Sequence, residues 1–147
     1  MIYLFDTNIL VHYIRKTSVK TFVEQYFDPA NPRNRPVISV ITVGEIRSIA
    51  LQNQWSSKRL AALDALLSEF IITDINTDDV IRAYADIDAF SQGKLPGNPL
   101  GTTARNMGKN DLWIAATAHV LGASLLTTDK DFTHLHDVFL DVAAISA

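Results

Sequence analysis

The sequence predicts a single α/β domain with a mainly parallel central sheet of about four to five strands and helices on both faces. Short apolar runs alternate along the chain with longer stretches that have helical spacing, which is typical of strand–helix–strand units. The 147 residues have the usual length of one domain, and no repeat, linker or low-complexity tract divides them. We therefore expect one domain over residues 1–147.

The predicted elements follow from apolar periodicity and from helix start and stop residues. Five short apolar runs predict strands at residues 2–5, 37–41, 70–72, 123–127 and 138–142. Amphipathic stretches predict helices at residues 9–13, 21–27 and 42–52, a fourth helix that Ser56 and Ser57 cap, and two more at residues 77–90 and 111–121. In the fourth helix, the spacing of Leu60, Leu63, Leu66 and Leu67 predicts one buried face. Asn110 is expected to cap the last helix, and Gly122 to end it.

Two segments are expected to be irregular. Residues 29–36 contain three prolines and two arginines, a composition typical of an exposed loop. Residues 93–109 are rich in Gly, Pro, Asn and Thr and contain three basic residues but no acid. A loop of that length in a compact domain tends to be functional.

Composition and charge narrow the function classes. The chain contains no cysteine, which excludes disulfides, thiolate zinc sites and cysteine nucleophiles and fits a reducing cytosol. No signal peptide or bilayer-length apolar stretch is recognisable, so we expect a cytoplasmic protein without a membrane segment. The net charge of −3 disfavours a protein that coats nucleic acid, but it is compatible with a nuclease because a carboxylate cluster lowers the charge.

Acidic residues recur where predicted strands end. Asp6 follows the first strand directly, and Glu45 lies in the first turn of the helix after the second strand. Asp111 opens the helix after the long loop, and Asp129 follows the fourth strand, with Asp131 two residues later. Sites in open parallel sheets form beyond the carboxyl ends of the strands. We therefore expect these acids to share one edge of the sheet.

Each acid taken alone also has a structural explanation. Asp6-Thr7-Asn8 is a possible helix cap, and Thr42 with Glu45 matches the capping-box spacing. Asp111 is a possible first-turn acid, and residues 129–131 a possible turn. Their predicted convergence favours a shared function, because neighbouring carboxylates repel unless a cation compensates them. Oxygen-only sites suit Mg²⁺ or Mn²⁺, which support phosphodiester hydrolysis.

At these residues the chain resembles the PIN-domain family, and most closely the VapC-type toxins of bacterial toxin–antitoxin pairs. The matching segments are Phe5-Asp6-Thr7-Asn8, Ser39-Val40-Ile41-Thr42-Val43-Gly44-Glu45, Asn110-Asp111-Leu112-Trp113-Ile114-Ala115-Ala116 and Leu126-Thr127-Thr128-Asp129-Lys130-Asp131-Phe132. Each segment is modest, but the four occur in order and span almost the whole chain.

The resemblance implies a Mg²⁺- or Mn²⁺-dependent endoribonuclease. It implies Asp6, Glu45 and Asp111 as core metal ligands and Asp129 as the fourth, acting through water, with Asp131 a competing candidate.

The resemblance also implies supporting residues and partners. Thr7 and Asn8 would orient Asp6, and Thr128 would support the fourth acid. The implied partners are a structured RNA substrate such as tRNA or rRNA, a VapB-like antitoxin that inserts a segment into the active-site groove, and a second copy of the chain.

Basic residues near the predicted edge are candidates for contacts with the RNA backbone. These candidates are Arg47, Lys94, Arg105, Lys109 and Lys130. The alternative for each is a solvated surface charge, which is the commoner fate of charged loop residues.

Other functions fit less well. A phosphatase with an aspartate nucleophile needs a second aspartate where this chain has Asn8. A P-loop needs glycine at Thr103 and Ser or Thr at Asn110. The remaining alternative is a catalytically inert PIN-like module that binds RNA or protein, which loss of an acid would favour; all four acids are present.

Overall fold

The structure, a computed structural model, describes residues 1–147 and contains one five-stranded sheet. The strands are β1 (Ile2–Phe5), β2 (Arg35–Ser39), β3 (Ile71–Thr73), β4 (Ser124–Thr127) and β5 (Asp141–Ala144). Their order across the sheet is β3-β2-β1-β4-β5, and every neighbouring pair is parallel. The predicted parallel α/β sheet is therefore confirmed.

Seven helices connect the strands. Six are α-helices: α1 (Thr7–Arg15), α2 (Ser18–Phe27), α3 (Val40–Gln52), α4 (Ser57–Leu67), α5 (Asp78–Ser91) and α6 (Lys109–Leu121). The seventh is a short 3₁₀ helix, Lys130–Leu135, between β4 and β5. Residues 93–108 of the predicted loop 93–109 contain no regular element, whereas Lys109 is the first residue of α6. No helix is both long and apolar enough to cross a membrane.

The sheet separates two hydrophobic cores, because successive strand residues point to opposite faces. Leu4 and Leu125 face the core that α5 and α6 cover. Phe5 and Leu126, each one residue later, face the core that contains buried residues of α1, α2, α3 and α4. The expected helices on both faces are therefore present.

The boundary between β2 and α3 differs from the prediction. The sequence predicts a strand to residue 41 and a helix from Thr42, whereas α3 begins at Val40. Ser39 is the N-cap residue, and its hydroxyl accepts a hydrogen bond from the backbone N–H of Ile41 at 3.0 Å. The alternative in which Thr42 and Glu45 form a capping box does not apply, and the prediction that Glu45 lies in the first turn is wrong, because it lies in the second.

Three smaller differences concern the cap of α6, the buried face of α4 and the start of β5. Gly108, not Asn110, is the N-cap residue of α6. Leu60 is 38% exposed, so the buried face of α4 is narrower than predicted. The predicted fifth strand lies too early, because Leu140 is buried against the α5–α6 core before the strand begins at Asp141.

Candidate metal centre

The predicted acids lie at the carboxyl ends of the two central strands and at the helices beside them. Asp6 follows β1 directly and Asp129 follows β4, and these two strands are hydrogen-bonded neighbours. Glu45 comes from α3 and Asp111 from the first turn of α6. The structure thus brings together acids that are widely separated in the sequence.

Asp6 is the most buried of these acids, with 4% of its surface exposed. It is the N-cap residue of α1, and its Oδ1 accepts a hydrogen bond from the backbone N–H of Thr7 at 2.8 Å. Its Oδ2 accepts a second bond from the hydroxyl of Thr127 at 2.7 Å. Asp6 is therefore both a helix cap and a member of the acid cluster, so the two interpretations of this residue are compatible.

Thr7 connects Asp6 to Glu45. The hydroxyl of Thr7 donates a hydrogen bond to Oε1 of Glu45 at 2.7 Å and lies 3.1 Å from the hydroxyl of Thr42. The other carboxylate oxygen of Glu45 accepts a bond from Nδ2 of Asn110 at 3.2 Å. Glu45 is therefore fixed between α1 and α6 and does not cap its own helix.

Asp111, Asp129 and Asp131 form the tightest part of the cluster. One carboxylate oxygen from each lies within 4.8 Å of the others. Asp111 and Asp129 are half-buried, whereas Asp131 is exposed. Oδ1 of Asp129 accepts a hydrogen bond from the backbone N–H of Asp131 at 2.9 Å. Both candidates for the fourth acid thus lie beside Asp111, and they differ in burial.

The proximity of the acids changes their proton affinity. Burial raises the pKa of Asp6 from 3.8 to about 6. The hydrogen bonds from Thr127 and Thr7 lower this pKa, whereas the negative charges of Glu45 and Asp129 raise it. Burial also raises the pKa of Asp111 to about 7, and the charges of Asp6, Asp129, Glu45 and Asp131 add to the shift. Without a cation, the cluster therefore holds protons at a pH where isolated carboxyl groups are ionised.

Thr127 is the supporting residue that the sequence analysis missed. Besides donating to Asp6, its hydroxyl accepts a hydrogen bond from the backbone N–H of Asp129 at 2.9 Å. The side chains of Asn8 and Thr128, which were expected to support the acids, make no hydrogen bond, and Asn8 is exposed. The register explains this, because the pairing of Phe5 with Leu126 places Thr127 opposite Asp6.

The basic candidates are distributed unevenly around the cluster. Lys109 lines a cavity of about 450 Å³ together with Glu45 and Asp111. Lys130 is exposed beside Asp129, and Arg105 lines a second cavity together with Asp131. Arg47 instead pairs with Asp64 of α4 at 2.8 Å. Lys94 is exposed at the start of the long loop and contacts no acid of the cluster.

The donor set fits a hard divalent cation. It consists of carboxylate oxygens, which Mg²⁺ and Mn²⁺ prefer as ligands. The tight group of Asp111, Asp129 and Asp131 contains no histidine nitrogen, and the chain has no cysteine sulfur. The raised pKa values of Asp6 and Asp111 indicate uncompensated negative charge, which a divalent cation would neutralise. A second group, His136, Asp137 and Asp141, lies on the exposed surface, and Nδ1 of His136 already accepts a hydrogen bond from the backbone N–H of Val142.

Comparison with known proteins identifies the family. The model of the PIN domain matches residues 3–137, which is most of the chain. The chain belongs to the PIN domain family. The resemblance inferred from the four sequence segments is therefore confirmed, and all four of those segments lie within the matched PIN domain.

Individual relatives of this PIN domain carry VapC names. The chain is 32% identical to Ribonuclease VapC1 of Haemophilus influenzae strain R2866 over 139 residues, which are 94% of this chain and 95% of the relative. The structure of VapBC2 from Rickettsia felis, bound to a promoter DNA fragment, matches with a TM-score of 0.76 and 26% identity, covering 99% of this chain and 100% of that one. VapBC-1 from nontypeable Haemophilus influenzae matches with a TM-score of 0.72 and 28% identity, covering 98% of both chains.

Proposed function

We propose that this PIN domain is a metal-dependent endoribonuclease and the VapC-type toxin of a toxin–antitoxin pair. The observation that carries the proposal is the convergence of Asp6, Glu45, Asp111 and Asp129 at one edge of the sheet, with pKa values of about 6 and 7 for Asp6 and Asp111. Similarity to Ribonuclease VapC1 along almost the whole chain supports the same activity.

In this proposal Asp6, Glu45 and Asp111 hold Mg²⁺ or Mn²⁺ directly, and Asp129 acts through a water molecule. When bound, the cation would supply Lewis acidity to the phosphodiester and to the attacking water. Asp129 is preferred to Asp131 as the fourth acid because it is half-buried and its backbone is held by Thr127. Asp131 is exposed and remains the alternative in the same motif.

The remaining residues of the site position these acids and the substrate. Thr127 and the backbone of Thr7 orient Asp6, while Thr7 and Asn110 fix the two oxygens of Glu45. Such hydrogen bonds hold ligands in the geometry that a cation requires.

Four basic residues are proposed to contact the RNA backbone: Lys94, Arg105, Lys109 and Lys130. Lys109 has the strongest support because it lines the same cavity as two of the acids. Arg47 is left out of this set because its guanidinium group pairs with Asp64 of α4 at 2.8 Å.

The proposed substrate is structured RNA such as tRNA or rRNA, and the proposed protein partner is a VapB-like antitoxin. Two of the similar structures are VapBC assemblies, which supports a partner of that kind for this chain. A homodimer and a cytoplasmic location are part of the same proposal.

The experiment that tests the proposal is RNA cleavage by the purified protein before and after removal of metal. We expect EDTA to abolish cleavage of total RNA, and Mg²⁺ or Mn²⁺ in excess to restore it. The Asp6→Asn variant serves as a control for a contaminating nuclease, because it retains the shape of the carboxyl group but lacks its charge. Cleavage that persists in EDTA, or that Asp6→Asn preserves, would contradict the proposed function.

A further inference from the structure

A second cavity lies beside the acid cluster and is not needed to hold a cation. It has a volume of about 520 Å³ and is lined by residues 102–107 of the long loop and by Asp131. That volume is within the range of sites that hold small organic groups. Because Asp131 is also a member of the acid cluster, the cavity adjoins the proposed cleavage site.

The wall of the cavity is tied to the core of the domain. The backbone N–H of Arg105 donates to the carbonyl of Ser91 at the end of α5 at 2.6 Å. Ser91 is fully buried, and its hydroxyl lies 2.8 Å from Nε2 of His134 and 3.4 Å from Sδ of Met107. These contacts join the loop to the 3₁₀ helix that carries Asp131. The loop is therefore anchored to the core at Arg105 and Met107, which reduces the entropy cost of ordering it when a ligand binds.

The side chains around the cavity have unused hydrogen-bonding groups. Arg105 forms no ion pair, and the hydroxyls of Thr102 and Thr103 make no hydrogen bond. The amide of Asn106 makes one contact, in which its Oδ1 accepts from Nε2 of Gln92 at 3.5 Å, so its Nδ2 is free. An amide presents a donor and an acceptor side by side, as the edge of a nucleobase does, and a guanidinium plane can stack on a base.

We propose that this cavity binds the base of the nucleotide adjacent to the cleaved bond and that Asn106 determines which base is preferred. This inference rests on the proposed ribonuclease function. A base fits better than a phosphate group, because the carboxylate of Asp131 offsets the positive charge of Arg105 in the same wall and leaves no net attraction for an anion. The same carboxylate accepts a hydrogen bond from a base that carries an amino group.

The position of Asp131 determines which nucleotide the cavity holds. Its carboxylate lies within 4.8 Å of those of Asp111 and Asp129. A base seated against Asp131 therefore belongs to a nucleotide that is next to the phosphodiester at the acid cluster. The cavity would select the cleavage position in single-stranded regions, where bases are free to leave the stack.

The test compares cleavage of four single-stranded RNA oligonucleotides that differ only in the base next to the cut. We expect wild-type protein to favour one base, and Asn106→Ala to reduce that preference about tenfold, as expected for losing a base-edge contact. Asn98→Ala is the matched control, since Asn98 lies in the same loop but not in the cavity wall. Mn²⁺ affinity should be unchanged in both variants.

Two outcomes would overturn the inference while leaving the ribonuclease function intact: no base preference in the wild type, or an unchanged preference in Asn106→Ala. A second measurement does not depend on cleavage. Titration with the four nucleoside 5′-monophosphates, followed by NMR, should shift the amide signals of residues 102–107 by an amount that depends on the base. Equal or absent shifts would also overturn the inference, even if the protein cut no RNA.

Discussion

At the residue scale, Glu45 has a hydrogen-bond donor for each of its carboxylate oxygens, Thr7 on α1 and Asn110 on α6. Neither donor is a backbone N–H of α3, whose N-cap residue is Ser39. Removal of the charge of Glu45 therefore leaves the helix end intact. Glutamine at this position removes the charge and replaces one acceptor oxygen with an NH₂ group, from which the hydroxyl of Thr7 or a rotated Asn110 amide can accept a hydrogen bond.

We expect Glu45→Gln to reduce cleavage by at least about tenfold, as for the loss of a catalytic group, because the variant loses a negative charge that binds metal. The metal-free variant should unfold at about pH 8 at a temperature no lower than that of the wild type, because removing this charge relieves repulsion with Asp6 and Asp111. Glu69→Gln, at an exposed position outside the cluster, is the control. Full activity of Glu45→Gln would mean that this carboxylate has only a structural role.

Thr127 forms two hydrogen bonds in the cluster, one to Oδ2 of Asp6 and one from the backbone N–H of Asp129. We expect Thr127→Val to weaken Mn²⁺ affinity by about 10- to 100-fold, the usual effect of losing a hydrogen bond to a metal ligand. The pKa of Asp6 should rise further, because the bond from Thr127 opposes its upward shift. The pH profile of cleavage should therefore move to higher pH.

The neighbouring Thr128 provides a matched control, because its side chain makes no hydrogen bond. Thr128→Val should leave Mn²⁺ affinity and the pH profile unchanged. If the two valine variants behave alike, Thr127 does not act as a positioning residue.

Single residues also show how far the sequence could predict the site. The acids follow from a general rule about strand ends, so their convergence could be predicted without coordinates. The hydrogen bonds that hold them depend on strand register, which no local pattern specifies. Thr127 and Thr128 are adjacent identical residues, and only the pairing of β4 with β1 determines which of them faces Asp6.

At the element scale, the start of α6 illustrates two opposing electrostatic effects. The first turn of a helix favours a negative charge by about 0.3–1 kcal/mol through the macrodipole. Asp111 lies in this turn, yet its pKa is raised to about 7 because burial and four neighbouring carboxylates have the larger effect. A plain first-turn acid would have the opposite shift, so the cluster dominates the electrostatics of Asp111.

The long loop and the start of α6 supply the cations that we propose for RNA binding. Lys109→Ala should reduce the slope of log(kcat/KM) against log salt by about 0.7, the value for one lost phosphate contact on a single strand. Arg47→Ala is the control, because Arg47 is paired with Asp64 on another part of the surface. An unchanged slope for Lys109→Ala would rule out a phosphate contact by this residue.

Element boundaries were predicted less well than element types, and α3 shows why. Val40 and Ile41 extend the apolar run of β2, and their side chains are β-branched, which favours strands. The hydroxyl of Ser39 instead caps a helix that begins at once. Tertiary packing of α3 against the sheet overrides the local preference, and it moves Glu45 from the first turn to the second.

At the scale of the whole molecule, the fold brings together carboxylates that repel one another. The acid cluster therefore lowers the stability of the folded protein when its carboxyl groups are ionised. The pKa values of Asp6 and Asp111 are raised on folding, so the folded state binds more protons than the unfolded state between about pH 4 and pH 7. Stability then falls as the pH rises through the folded pKa values. The stability gained from protonation of these two carboxyl groups is fully present below pH 3.8, which is the pKa of each group in the unfolded chain.

We therefore expect the EDTA-treated protein to unfold at a higher temperature at about pH 5.5 than at about pH 8, and added Mn²⁺ to remove much of this difference. Asp111→Asn should stabilise the metal-free protein at about pH 8 by on the order of 1 kcal/mol, since Asp111 is only half-buried and solvent screens its repulsion. Asp86→Asn, at an exposed position on α5, is the control. Lower stability of Asp111→Asn at that pH would contradict the proposed repulsion.

The parallel direction of the strands could be predicted, because the alternation of strands and helices along the chain is a local signal that is compatible with few topologies. The position of β5 could not. Residues 138–140 have the apolar character of a strand, but Leu140 belongs to the α5–α6 core, and pairing with β4 begins only at Asp141. Apolar periodicity reports burial, and burial alone does not distinguish a strand from a packed turn.

Acids from distant parts of the chain are proposed to bind a divalent cation at one site. Crystals soaked in Mn²⁺ and measured for anomalous scattering would reveal that cation. We predict an anomalous peak among the carboxylates of Asp6, Glu45 and Asp111, and no such peak in crystals of Asp6→Asn. The absence of a peak there in the wild type, or a peak only at His136, Asp137 and Asp141, would contradict metal binding by the acid cluster.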